Sequence, residues 1–188
     1  MSWREHCPSR RQLGRLGIVM VAAGLTGGCF QPLYGHGPAV GSASVGDKLA
    51  SVEIPPIPAP KGQPVARVAV EMRNVLQFEL NGGAGAVAPA YRLLLSVGIS
   101  GASIIVDVTS GRPDAQLEVV VASYRLIEIA SGKAVVTGST YAHVDYDIPG
   151  SAQRFAAQRA ERDAQDRAMK VVAETIRNRL ASYFVAGT

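Results

Sequence analysis

The 188-residue chain carries 19 Lys+Arg against 15 Asp+Glu, a formal charge of +4, but four Arg and one Glu fall in residues 1–28, leaving 15 against 14. The positive charge therefore belongs to the N-terminal segment, and no nucleic-acid partner is implied. Cys7 and Cys29 are too few for a disulfide framework, while the roughly 160 residues from Cys29 onward suffice for one domain with a core of its own.

Arg4, Arg10, Arg11 and Arg15 form a basic region ahead of a short apolar run from Leu16 to Leu25. Spanning a bilayer takes about 20 apolar residues, so this run reads as a signal peptide and not as a membrane helix. Gly27 and Gly28 follow, and small residues let an extended chain enter a peptidase groove without side-chain clash. Leu25-Thr26-Gly27-Gly28-Cys29 thus predicts cleavage after residue 28 and acylation of Cys29, with the lipobox leucine one residue further back than usual. A plain secretory signal with an incidental cysteine is the competing reading. Residues 29–50 read as a tether, rich in Gly, Ser, Pro and Ala and without periodicity from Phe30 to Lys48. Phe30 is not the aspartate that retains lipoproteins at the inner membrane, so the expected location is the periplasmic side of the outer membrane.

A single α+β domain is predicted over residues 51–188. It opens with a short strand at Ser51-Val52-Glu53-Ile54, stopped by Pro55, Pro56, Pro58 and Pro60, which cannot donate to a ladder. Val65, Val68, Met72, Val75, Leu76 and Leu80 recur at helical spacing, predicting a helix from Gln63 to Leu80 capped by Asn81-Gly82-Gly83. Tyr91 to Val97 alternates and Ile104 to Val108 continues in β-formers, giving one long, bulged strand. Leu117–Ile129 and Val135–Asp147, joined by Ala130-Ser131-Gly132-Lys133, make a hairpin. From Ser151, taken as N-cap, a long helix runs to Phe184 with Phe155, Ala160, Ala164, Ala168, Val171, Val172, Ile176, Leu180 and Phe184 along one side. The order β-α-β-β-β-α implies a four-stranded, mostly antiparallel or mixed sheet with two helices on one face.

Few residues promise chemistry. His143, Asp145 and Asp147 alternate along a strand and so share a face, where they suit a metal or a hydrolase's general base, or else form a solvated polar face. Gly82-Gly83-Ala84-Gly85 lacks the Gly-Lys-Ser/Thr ending of a phosphate loop and follows a helix. No catalytic residue, metal or cofactor is implied. The last helix holds seven Lys+Arg and four Asp+Glu between Ser151 and Phe184, with Glu161 near Gln165 and Asp163 near Arg167 in helical register, as on a salt-bridged face. Arg92, Arg125 and Lys133 lie on or beside the strands and are the candidate anion contacts. Arg125 falls in a run read as apolar on both faces, so it must reach the sheet rim or find a partner.

Cys29-Phe30-Gln31-Pro32-Leu33-Tyr34-Gly35 resembles the start of the processed form of the LptE lipopolysaccharide-assembly lipoproteins, in which an aromatic-x-Pro-Leu-Tyr segment follows the lipidated cysteine. The helix with Arg73-Asn74-Val75-Leu76 and the terminal helix with Ile176-Arg177-Asn178-Arg179-Leu180 are similar to that family's. The resemblance implies a non-catalytic lipoprotein seated in the outer-membrane β-barrel LptD, assisting lipopolysaccharide insertion; given that role, the strand-side cations Arg92, Arg125 and Lys133 are the expected contacts for lipopolysaccharide phosphates. The alternative is an accessory lipoprotein of another envelope lipid-transport system.

Overall fold

The computed structural model describes residues 44–83, 86, 88–106, 109, 111, 113–148 and 153–187. Cys29, the segment that follows it up to residue 43, and Ser151 lie outside these. Seven elements follow in order: α1 (Val45–Ala50), β1 (Val52–Glu53), α2 (Pro64–Asn81), β2 (Tyr91–Val106), β3 (Pro113–Glu128), β4 (Ala134–Asp147) and α3 (Arg154–Ala186).

The first element corrects the sequence reading, because the stretch taken as the end of a tether contains a helix. Ser44 starts α1 with a capping box: its Oγ accepts from the Asp47 backbone N–H at 3.1 Å, and the Asp47 carboxylate accepts from the Ser44 N–H at 3.0 Å. Leu49 is buried in the main core, and Lys48 Nζ donates to the Phe184 carbonyl, joining α1 to the end of α3. One buried side chain in six residues leaves no period to read, which is why the helix escapes pattern analysis.

β1 shrinks to two residues, pairing Val52 with Tyr91 and Glu53 with Arg92 in parallel. Past it the proline run carries no ladder, and the Ile54 carbonyl instead accepts from Arg73 Nε at 2.8 Å. Pro64 sits in the first turn of α2, where its missing N–H costs nothing, and Gly82 ends that helix at φ +67° with the expected left-handed cap. Val68, Met72, Leu76 and Leu80 are its buried stripe.

β2, β3 and β4 form an antiparallel meander, so the sheet order is β1-β2-β3-β4. β2 is indeed bulged, with register breaks around Ile105. The hairpin closes where Gly132, at φ +68°, donates to the Glu128 carbonyl at 2.8 Å and Glu128 donates to the Lys133 carbonyl at 3.0 Å.

The inward rows Leu93, Leu126, Val136 and Leu95, Tyr124, Gly138 meet α2 and α3. At about 1.5 Å per residue α3 is as long as the sixteen-residue strands at about 3.3 Å per residue, so one helix covers the sheet lengthwise. Its buried stripe is Ala164, Gln165, Ala168, Met169, Val172, Ala173, Ile176, Leu180, Ala181 and Phe184. Phe155 and Val171, expected on that side, are exposed instead. The helix starts at Arg154 with Gln153 as N-cap and no side-chain cap bond, rather than at Ser151. Architecture is therefore the anticipated α+β sheet with helices on one face, with α1 as a third helix.

Candidate functional site

Among the described residues, all helices lie on one side of the sheet and none covers the other, the open face. Strand alternation fixes what that open face carries. Starting from the hairpin end, Arg92 stands opposite Ile127. Next come Leu94, Arg125 and Thr137, then Ser96, Ser123 and Ser139, then Gly98, Val121 and Tyr141, then Ser100, Val119 and His143. The serine row and Thr137 leave a shallow depression bordered by Leu94 and Arg125.

Arg125 needs neither burial nor the sheet rim. Its odd position in β3 sets it with Ser123 and Val121 on the exposed side, while Ala122, Tyr124 and Leu126 are buried on the other. This corrects the reading of its run as apolar on both faces. Arg92 is a diagonal neighbour of Arg125 on the same face and forms an ion pair with Glu53, Nε to Oε2 3.0 Å, both side chains about half exposed. Such a pair contributes only about 0–1 kcal/mol, so Arg92 can exchange Glu53 for another anion at little cost. Lys133 is exposed in the hairpin connection at the same end. The fold thus sets Arg92 and Arg125 side by side on the open face and leaves Lys133 exposed in the connection at that end.

His143, Asp145 and Asp147 also share the open face, strung along β4 and exposed. They do not converge on a pocket: His143 packs against the ring of Tyr141, centroids 5.0 Å apart, and Arg167 reaches the Asp145 carbonyl, not its carboxylate. Among the described residues no group of three His, Cys, Asp or Glu is placed to hold a metal ion. Tyr141 and the serine row were not singled out from the sequence. The same alternation that aligned His143 with Asp145 would have aligned Ser139 and Tyr141 with them.

A second polar centre lies under the helices. Gln165, almost fully buried, donates through Nε2 to Glu118 at 2.9 Å and to Glu161 at 3.3 Å, and accepts from the Arg67 guanidinium. Arg67 also pairs with Glu71 and Asp166. Burial pushes the Glu118 carboxyl above its ordinary range; the Gln165 hydrogen bond opposes this, nearby Glu161 adds to it, and Arg67 opposes it. Every member has a partner, so this knot joins α2, α3 and β3 and acts as structure. The i,i+4 pair Asp163–Arg167 is also present, at 2.9 Å. No helix among the described residues is long and apolar enough to cross a membrane.

Comparison with known proteins places this geometry. The family model LptE, described as lipopolysaccharide-assembly, matches residues 49–180. A lipoprotein of known structure from Caulobacter crescentus CB15 is 24% identical with a TM-score of 0.58, over 76% of this chain and 96% of its own. Rare lipoprotein B from Shewanella oneidensis is 15% identical with a TM-score of 0.49, over 71% and 96% respectively. No curated protein sequence matches the chain. The Caulobacter structure shares the fold.

Proposed function

Since the chain belongs to the LptE family of lipopolysaccharide-assembly proteins, we propose that it is a non-catalytic envelope lipoprotein, acylated at Cys29 and held on the periplasmic side of the outer membrane. There it seats in the lumen of an LptD-type β-barrel and assists lipopolysaccharide insertion into the outer leaflet. Several acyl chains at about 0.8 kcal/mol per buried methylene hold such a protein persistently and keep it near its barrel. A surface carrying both charge signs suits a water-filled lumen and a wet, polar interface.

The observation that carries this reading is the exposure of Arg92 and Arg125 as diagonal neighbours on a sheet face that no described helix covers, with Lys133 exposed in the hairpin connection at the same end. Arginine offers paired N–H donors to phosphate, and lysine a mobile point charge. Lipopolysaccharide presents phosphates on sugars, so these cations are its proposed contacts. Replacing all three by Ala and titrating with lipopolysaccharide tests the assignment: binding and its salt dependence fall together, whereas unchanged binding removes these residues from the contact surface.

A further inference from the structure

Resting on the reading just given, we propose that the middle of the open sheet face is a saccharide platform, in which the serine row holds one sugar of the phosphorylated lipid headgroup and Tyr141 packs against its ring. Ser96, Ser123 and Ser139 lie side by side on three adjacent strands, and all three are exposed. Three hydroxyls at strand spacing supply both donors and acceptors, the pattern that sugar hydroxyls require. Because the side chains of this row are short, the row forms the floor of the depression bordered by Leu94 and Arg125, and Tyr141 stands in the next row on its other side.

Spacing fits a phosphorylated pyranose. Each row is two residues from the next, so Arg125 and Tyr141 bracket the serines across about 13 Å at roughly 3.3 Å per residue. A sugar over the serines meets a guanidinium at its phosphate and an aromatic ring at its apolar C–H face. Tyr141 is 65% exposed although it sits on a strand, so its ring is free to take a partner. His143 backs that ring from the next row, which limits the directions it can turn. An amphipathic ring with two rotatable bonds gives contact area at low entropic cost. Charge complementarity favours a phosphorylated over a neutral sugar, because Arg92 lies diagonally beside Arg125 on this face and Lys133 is exposed in the connection at the same end.

The probe is the deacylated, phosphorylated glucosamine disaccharide headgroup, titrated calorimetrically into the purified protein alongside its dephosphorylated counterpart and intact lipopolysaccharide. Tyr141→Phe binds within about twofold of the original, Tyr141→Ala about tenfold more weakly, and Ser123→Leu, which fills the row, does not bind. The exposed positions of Tyr141 and Ser123 let both variants fold, checked by an unchanged melting temperature. The dephosphorylated disaccharide binds at least tenfold more weakly than the phosphorylated one. Undiminished binding by Tyr141→Ala, or equal affinity for the two disaccharides, overturns the platform. If Tyr141→Ala keeps full affinity while the Arg92, Arg125, Lys133 triple variant loses lipopolysaccharide, the platform fails and the proposed function stands. If the unsubstituted protein binds neither headgroup nor lipopolysaccharide, both fail.

Discussion

The hydroxyl of Tyr124 occupies the space that a Cβ on Gly138 would fill, 2.7 Å from its ideal position, with the ring carbon Cζ at 2.9 Å. The two residues are cross-strand partners on the inward face of β3 and β4. Glycine here lets a buried aromatic ring lie flat over the edge strand. Gly138→Ala is therefore expected to destabilise by about 1–3 kcal/mol through forced displacement of Tyr124. Gly98, on the open face with nothing within 4 Å, is the control, and Gly98→Ala is expected to leave the melting temperature unchanged or raise it slightly. Equal melting temperatures for the two variants would refute the contact.

Glu118 predicts a pH dependence of stability whose sign follows from its environment. Burial raises its folded-state pKa above the ordinary 4.5. The folded form therefore retains a proton that the unfolded chain releases, so the stabilisation is fully present below the unfolded value and is lost as pH rises through the folded one. Glu118→Gln keeps an acceptor for Gln165 and removes the charge. Urea denaturation across mildly acidic to neutral pH should show a flatter profile for it, with neutral-pH stability equal to or above the original. Glu118→Ala takes away the shorter of the two bonds the Gln165 amide donates, leaving only that to Glu161, and should cost about 1–3 kcal/mol throughout. A loss of neutral-pH stability in Glu118→Gln would contradict the assignment.

Residues 44–50 pack with the core through Leu49 in place of lying outside it as tether, and stability measures this directly. Leu49→Ala removes a 2% exposed core side chain and is expected to cost about 2–5 kcal/mol. Ser44→Ala removes the capping box at about 0.5–2 kcal/mol. If both variants melt like the original, residues 44–50 behave as tether after all.

Acylation is expected to rest on Cys29 alone. Cys29→Ser should abolish incorporation of labelled palmitate and release the protein from membranes, with the melting temperature of the domain unchanged. Continued labelling would move the anchor elsewhere.

What the sequence made legible tracks how many repeats of a pattern each element offers. α2 repeats its apolar spacing from Val68 to Leu80 and ends on Gly82, so its bounds were readable to one residue. The hairpin was equally plain, because alternation and Gly132 agree. α1 offers Leu49 only. Phe155 and Val171 fit a helical stripe by spacing, yet α3 turns Gln165 and Met169 inward instead, since the Glu118 and Arg67 groups there need a polar partner. The three cations were visible as charges. That Arg92 and Arg125 share a face was not, because the parity of Arg125 depends on the pairing of Leu94 with Arg125 across two strands. Tyr141 and the serines looked like ordinary strand residues until register set them in adjacent rows.

Pull-down of the processed, acylated protein from detergent-solubilised outer membranes, with bound proteins identified by mass spectrometry, tests the central claim most directly. Recovery of a large outer-membrane β-barrel in fixed stoichiometry, together with lipopolysaccharide, is the predicted result. Recovery of an inner-membrane lipid transporter in its place, with no barrel, would contradict the account.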